Sequence, residues 1–229
     1  MVSVHIGPSW FFGVDASLEA FAALIAFLVA FAAYKVYRIG GERKYGFFTA
    51  SFVLLTLSFL TRAAADTLIE NLLFEVPPKL TAWIFLYGYL AHILLALTAY
   101  VILIIITHKI TDKRVIALLF FILVPGLIMS SSYYLSFYGL STVLLAFVAI
   151  AYFQNYRKVC SPTSCMVFIA FVLLALAQIQ FLLDLLNKTF YVSAHITQAA
   201  GHLILLIALL KISFKPRDLH EKVKTRHRV

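Results

Sequence analysis

Residues 46–69 read GFFTASFVLLTLSFLTRAAADTLI, and this stretch decides the class of protein. A helix needs about 20 predominantly apolar residues to cross a bilayer, and the run contains only two charged side chains, Arg62 and Asp66. The whole chain has this character, since 63% of its 229 residues are hydrophobic and 13% are charged. Soluble domains have about 45–50% and about 25%. The composition therefore predicts an integral membrane protein.

Apolar segments of similar length continue along the chain, separated by short polar turns or turns with proline and glycine. We predict an all-α fold, a single bundle of seven transmembrane helices that uses nearly the whole chain and ends in a short basic tail, residues 214–229. Any binding or chemistry would therefore occur within or at the membrane. The predicted helices lie at about 17–37, 46–69, 80–107, 114–132, 134–156, 163–187 and 190–213.

The basic residues predict the orientation of the bundle. Of the 19 Lys and Arg residues, 16 fall in alternate connections, at 35–44, 109–114 and 157–158, and in the tail from Lys211 onward. Short cytoplasmic loops carry an excess of Lys and Arg, which predicts an outside N-terminus, a cytoplasmic C-terminus and an odd number of crossings in the cell (plasma) membrane. The net charge of +9 then reports topology, so we expect the lipid bilayer and no nucleic acid as partner.

The sequence also contains a candidate internal repeat. With an offset of 119, residues 37–57 align with residues 156–176 and share Tyr-Arg and Phe-Val-Leu-Leu. With an offset of 110, His92 aligns with His202. The alignment predicts two parallel halves of three helices with helix 4 as linker, a 3+1+3 plan. Such duplicated membrane folds place their sites near the midplane, between the repeats.

Polar side chains inside the apolar segments mark the candidate site. A charged residue at the centre of a spanning helix costs about 2.5–3.5 kcal/mol on insertion scales, so it faces the bundle interior and marks a ligand or proton pathway. We predict a pocket in the outer half, where Asp66 or Asp184 neutralises Arg62; a purely structural ion pair is the alternative. The pocket residues are Arg62, Asp66, Tyr89, His92, Gln180, Asp184, His195, Gln198 and His202.

Two histidines of this set suggest a cofactor hypothesis. The repeat makes His92 and His202 equivalent, and a pseudo-two-fold axis would set them facing each other. Gly88 and Gly201 lie close by in sequence and would let a planar group approach. Two facing imidazoles can ligate a b-type haem, although small residues also serve ordinary helix packing.

A divalent metal is a further hypothesis. His92, His195 and His202, together with Asp184 or water, could bind Zn²⁺. The loop Cys160–Cys165 supplies only two thiols, too few for a zinc site, and we interpret them as plain cytoplasmic thiols.

Three functions follow from these observations. The first is a transporter of a small solute or ion, in which protonatable side chains couple binding to proton movement. The second is a redox protein that holds haem between His92 and His202. The third is a receptor-like sensor that signals to a separate cytoplasmic partner. No catalytic residue is predicted, and a homo-oligomer is compatible with all three.

Overall fold

A computed structural model describes residues 9–11, 13–72, 78–128 and 132–213. The described residues form a 3₁₀ turn at Ser9–Phe11, seven α-helices and no strand, which confirms the all-α fold. The predicted tail, residues 214–229, lies outside the described residues. The helices are α1 (Val14–Gly40), α2 (Arg43–Leu72), α3 (Pro78–Thr107), α4 (Lys113–Ile128), α5 (Tyr133–Val159), α6 (Pro162–Leu183) and α7 (Thr189–Ser213).

Six of these helices are long and apolar enough to cross a membrane, namely α1, α2, α3, α5, α6 and α7. Their outward faces carry large apolar side chains, and Phe27, Leu57 and Phe147 are each about half exposed. Water-soluble monomers rarely expose large contiguous apolar surfaces. The length of the helices and their apolar outer surface agree with a membrane protein.

The helices end where local backbone chemistry stops them. Gly41 closes α1 in the left-handed conformation (φ 67°), and its N–H donates to the carbonyl of Tyr37. Cys160 closes α5 in the same way, with φ 48°. Ser161 then caps α6 by accepting a hydrogen bond from the Ser164 N–H. Since α6 starts at residue 162, Cys165 lies in its first turn, within the predicted helix 163–187, and the loop before it is shorter than Cys160–Cys165.

Six helices pack as a closed ring. Each helix of the half α1–α3 contacts the next along the chain, as does each helix of the half α5–α7. Contacts between α3 and α5 and between α1 and α7 join the halves. The remaining helix, α4, lies outside this ring and makes only light contacts with α3 and α5. The interior of the ring is therefore built from both halves of the chain.

Glycine allows close approach at two helix pairs. A Cβ at Gly88 of α3 would lie 2.7 Å from the Cβ of Ala65 on α2. A Cβ at Gly201 of α7 would lie 3.0 Å from the Leu174 side chain on α6. Small residues at such crossings let membrane helices pack closely.

Candidate functional site

A buried arginine lies at the centre of a polar cluster inside the ring. The Nε of Arg62 is 3.3 Å from Oε1 of Glu19 and 3.8 Å from Oδ2 of Asp66. Its Nη1 donates a 2.7 Å hydrogen bond to the Tyr138 hydroxyl, and the guanidinium lies over the Phe181 ring. Helices α1, α2, α5 and α6 thus converge on one cation. We define the Arg62 cluster as Asp15, Glu19, Arg62, Asp66, Tyr138, Phe181, Tyr191 and His195.

Glu19, which sequence reasoning missed, is the most deeply buried carboxylate of the cluster, at 1% exposure. Its Oε1 faces Arg62 on one side and lies 3.6 Å from Nδ1 of His195 on the other. Neither carboxylate oxygen accepts a hydrogen bond from any of the described residues. A charge buried in low dielectric costs several kcal/mol unless it is paired, so Arg62 is what makes an ionised Glu19 tolerable here.

His195 joins this pair to the end of the bundle where α1 begins. Its ring packs against Phe11, Phe181 and Tyr191, at centroid distances of 5.9, 5.0 and 4.8 Å. The Tyr191 hydroxyl donates to Oδ2 of Asp15, 3.4 Å away, in the first turn of α1. Within the described residues, Nε2 of His195 has no hydrogen-bond partner. Polar side chains therefore lead from the start of α1 to Arg62.

Asp184, an expected partner of Arg62, is engaged elsewhere. Its Oδ2 lies 3.1 Å from Nζ of Lys188 and accepts a 3.3 Å hydrogen bond from Tyr134. The Tyr134 hydroxyl also lies 3.1 Å from the carbonyl of Phe181. Of the two carboxylates predicted to neutralise Arg62, the structure brings Asp66 near it and assigns Asp184 to a separate ion pair at the end of α6.

The two candidate haem ligands lie deeper in the bundle. Nδ1 of His92 is 2.8 Å from the Ser58 hydroxyl, which donates in turn to the His92 carbonyl. Nδ1 of His202 is 2.9 Å from the carbonyl of Gln198. The Phe59 ring packs against both imidazoles, at centroid distances of 6.4 and 5.4 Å. Both histidines therefore contact Phe59, and a haem between them would compete with this ring for space.

The proposed metal ligands are not gathered. Among the side chains that the structure describes, no group of three or more His, Cys, Asp or Glu is arranged to hold a metal ion. His195 lies beside Glu19, whereas His92 and His202 lie beside Phe59. A metal site on this trio stays a prediction.

The remaining candidates border these two regions. Tyr89 packs 6.0 Å from the ring of His92 and interacts with Tyr138, so it connects the histidines to the Arg62 cluster. Gln198 is buried one turn before His202. The side-chain carbonyl of Gln180 is buried and accepts no hydrogen bond from the residues that the structure describes.

Comparisons with protein-family models, with curated proteins and with solved structures found no match for this chain.

Proposed function

We propose that this chain is a membrane transporter for a small solute or ion, and that its binding pocket lies in the outer half of a seven-helix bundle. The observation that carries the proposal is the position of Glu19, whose Oε1 lies between Arg62 and His195 at 3.3 and 3.6 Å. Ionisable groups inside membranes are costly, and they mark ion and proton pathways.

The charge balance of the Arg62 cluster supports exchange with an ion or proton. The carboxylates of Asp15 and Asp66 are close enough to act electrostatically on Glu19. Arg62 is the one permanent cation among the residues that define the cluster. A purely structural ion pair would need a single carboxylate, whereas two further acids leave an excess of negative charge. Protons or a cation must balance it, and their binding and release is what an ion-coupled transporter needs.

The path of α4 supports a seventh crossing. The end of α3 lies beside the start of α2, where Ser51 donates to the carbonyl of Ala99. The next helix, α5, begins at the opposite end of the bundle, where Tyr138 reaches Arg62. α4 therefore runs between the two ends, and its 16 residues cover about 24 Å. The basic turns then share one end, which we assign to the cytoplasm of the cell, with the N-terminus outside.

The ring also supports the 3+1+3 repeat. If α1, α2 and α3 are matched with α5, α6 and α7, every contact between two helices of the ring corresponds to another contact of the ring. The offset of 119 pairs Glu19 with Tyr138, and both side chains hold Arg62. The same offset pairs Gly41 with Cys160, and each ends its helix in the left-handed conformation. Arg62 would then lie close to the pseudo-two-fold axis, as the binding site of a duplicated transporter does.

The haem hypothesis, the receptor hypothesis and the homo-oligomer stay predictions, because no contact described above favours them.

The test is transport by purified protein in liposomes. Charge movement is recorded on a solid-supported membrane while small organic anions, amino acids, sugars and monovalent cations are applied, and a trapped pH-sensitive dye reports proton flux. We expect flux in wild type, little or none in Arg62→Gln, and unchanged flux in Arg157→Gln, a control at the opposite end of the bundle. Asp184→Asn and His202→Ala test the wider pocket. Folded wild-type protein that moves none of these probes faster than protein-free liposomes would overturn the proposal.

A further inference from the structure

We infer that Glu19 is the proton-carrying group of this protein and that it exchanges its proton with His195, while Arg62 stabilises the deprotonated carboxylate. The inference rests on the proposed function and deepens it, because it names the coupling ion as a proton and locates its binding site. The sequence predicted Arg62 and His195 as pocket residues, but it did not predict Glu19.

The first support is the incomplete hydrogen bonding of Glu19. Buried polar groups are nearly always hydrogen-bonded, yet both oxygens of Glu19 lack a donor among the described residues. The Arg62 guanidinium is held from its other side by Tyr138 and lies over Phe181. The cation is therefore fixed by groups other than Glu19, and the carboxylate can gain or lose a proton without releasing Arg62.

The second support is the way His195 is held. Aromatic rings of Phe11, Phe181 and Tyr191 fix the imidazole from several sides. No hydrogen bond to the described residues occupies Nε2, and Nδ1 faces Glu19 at 3.6 Å. A small side-chain rotation brings this pair within the distance that proton transfer requires.

The transfer balances in charge and atoms. The O–H bond of neutral Glu19 breaks and an N–H bond forms at Nδ1 of His195, giving a carboxylate beside Arg62 and an imidazolium. The imidazolium then releases its Nε2 proton to an entering water molecule, since Nε2 is buried and has no hydrogen-bond partner among the described residues. Histidine suits this step because each of its two ring nitrogens can carry a proton.

The charges around Glu19 are compatible with a carboxyl group that gains and loses a proton. Asp15 and Asp66 repel a carboxylate charge at Glu19 and so favour its neutral form, whereas Arg62 favours the charged form. The neighbours therefore do not all favour the same protonation state. The other carboxylates are less suitable carriers: Asp66 has a quarter of its side chain exposed, and Asp184 is engaged by Lys188. The groups that act on Glu19 are Asp15 from α1, Arg62 and Asp66 from α2, Tyr100 from α3, Tyr138 from α5 and His195 from α7.

The direct test is infrared difference spectroscopy of the protein in liposomes during a change of pH. A protonated carboxylic acid has its own carbonyl stretch, which a carboxylate lacks. We expect a pH-dependent band in wild type, its loss in Glu19→Gln, and its retention in the matched control Asp184→Asn. Glu19→Asp keeps a titratable acid in a new position and should shift the band. A band that persists in Glu19→Gln, or that is unshifted in Glu19→Asp, would overturn the inference.

Proton flux in the same liposomes separates this inference from the proposed function. Flux under an imposed pH gradient that is present in wild type, absent in Glu19→Gln and retained in Arg157→Gln supports both. Wild-type flux that Glu19→Gln retains overturns the inference and leaves the transporter proposal standing. Wild-type liposomes that move no probe at all overturn the proposed function and the inference together. Circular dichroism and a monodisperse elution profile confirm that each variant is folded.

Discussion

Replacement of Arg62 by methionine should destabilise the bundle far more than loss of an ordinary salt bridge. Methionine keeps an unbranched apolar stem near Phe181 but removes the partner of Glu19 and the donor to Tyr138. Removing one member of a buried ion pair costs about 3–5 kcal/mol, because the other charge is left buried and uncompensated. Exposed pairs cost about 0–1 kcal/mol. With Arg62 only 6% exposed, we expect a loss of about 3–5 kcal/mol in the free energy of unfolding.

A double-mutant cycle isolates the pair. Unfolding by sodium dodecyl sulfate in mixed micelles, followed by circular dichroism, gives the free energy for wild type, Arg62→Met, Glu19→Gln and the double variant. Glu19→Gln should cost less than Arg62→Met, since Asp66 still lies 3.8 Å from the guanidinium. The double variant should cost about 2 kcal/mol less than the sum of the two single variants, because contacting charges are coupled by about 0.5–3 kcal/mol. A single-variant cost below about 1 kcal/mol, the range of surface pairs, or strictly additive effects, would refute the reasoning.

Three further predictions test the packing, the cluster and the topology. Gly88→Ala should cost about 1–3 kcal/mol by overpacking against Ala65, and adding Ala65→Gly should restore stability. Gly139→Ala is the control and should be neutral, because no atom lies near its added Cβ. Equal stability of all three variants in detergent unfolding contradicts this prediction. Tyr138→Phe removes a 2.7 Å hydrogen bond to a charged donor and should lower the free energy of unfolding by about 1.5–3 kcal/mol. The same unfolding experiment measures this, and an unchanged free energy contradicts it. Cys160 is exposed and free, so a membrane-impermeant thiol reagent should label it only from the cytoplasmic side, and labelling from outside would reverse the proposed orientation.

The helical architecture could be predicted from the sequence because it depends on local composition. Each predicted segment has a counterpart among the seven helices, with ends that differ by a few residues where capping decides them. Gly41 and Cys160 show why: a residue in the left-handed conformation ends a helix at a given position, and hydropathy does not predict that position.

The partners inside the site could be predicted only in part. Arg62, Asp66 and His195 were selected because polar groups in apolar segments face inward, and the structure brings them together. Glu19 follows the same rule, since Asp15 and Glu19 form an i, i+4 acidic pair in the first apolar run, and this signal could have identified it. The contact of Arg62 with Tyr138 was not accessible, because 76 residues separate them and one sequence does not reveal which helices adjoin.

The predicted pair of facing histidines shows a different limit of sequence analysis. The repeat predicts that His92 and His202 are equivalent and face each other, but a facing pair also depends on which side chains lie between them. Phe59 packs against both rings, and its ordinary apolar character gave no signal of this role.

The order of the helices along the chain bears on how the protein is made. Membrane helices enter the bilayer during synthesis, the first ones before the last have left the ribosome, and an arginine near a helix centre resists that step by about 2.5–3.5 kcal/mol. Glu19 is part of α1 and Arg62 part of α2, so the counter-charge is already in place when the arginine arrives. The first hairpin can therefore insert as a nearly neutral unit, long before Tyr138 or His195 exists. Glu19→Gln should therefore insert α2 less efficiently than wild type, visible as a larger uninserted fraction in a glycosylation-mapping experiment, while the inserted fraction still folds.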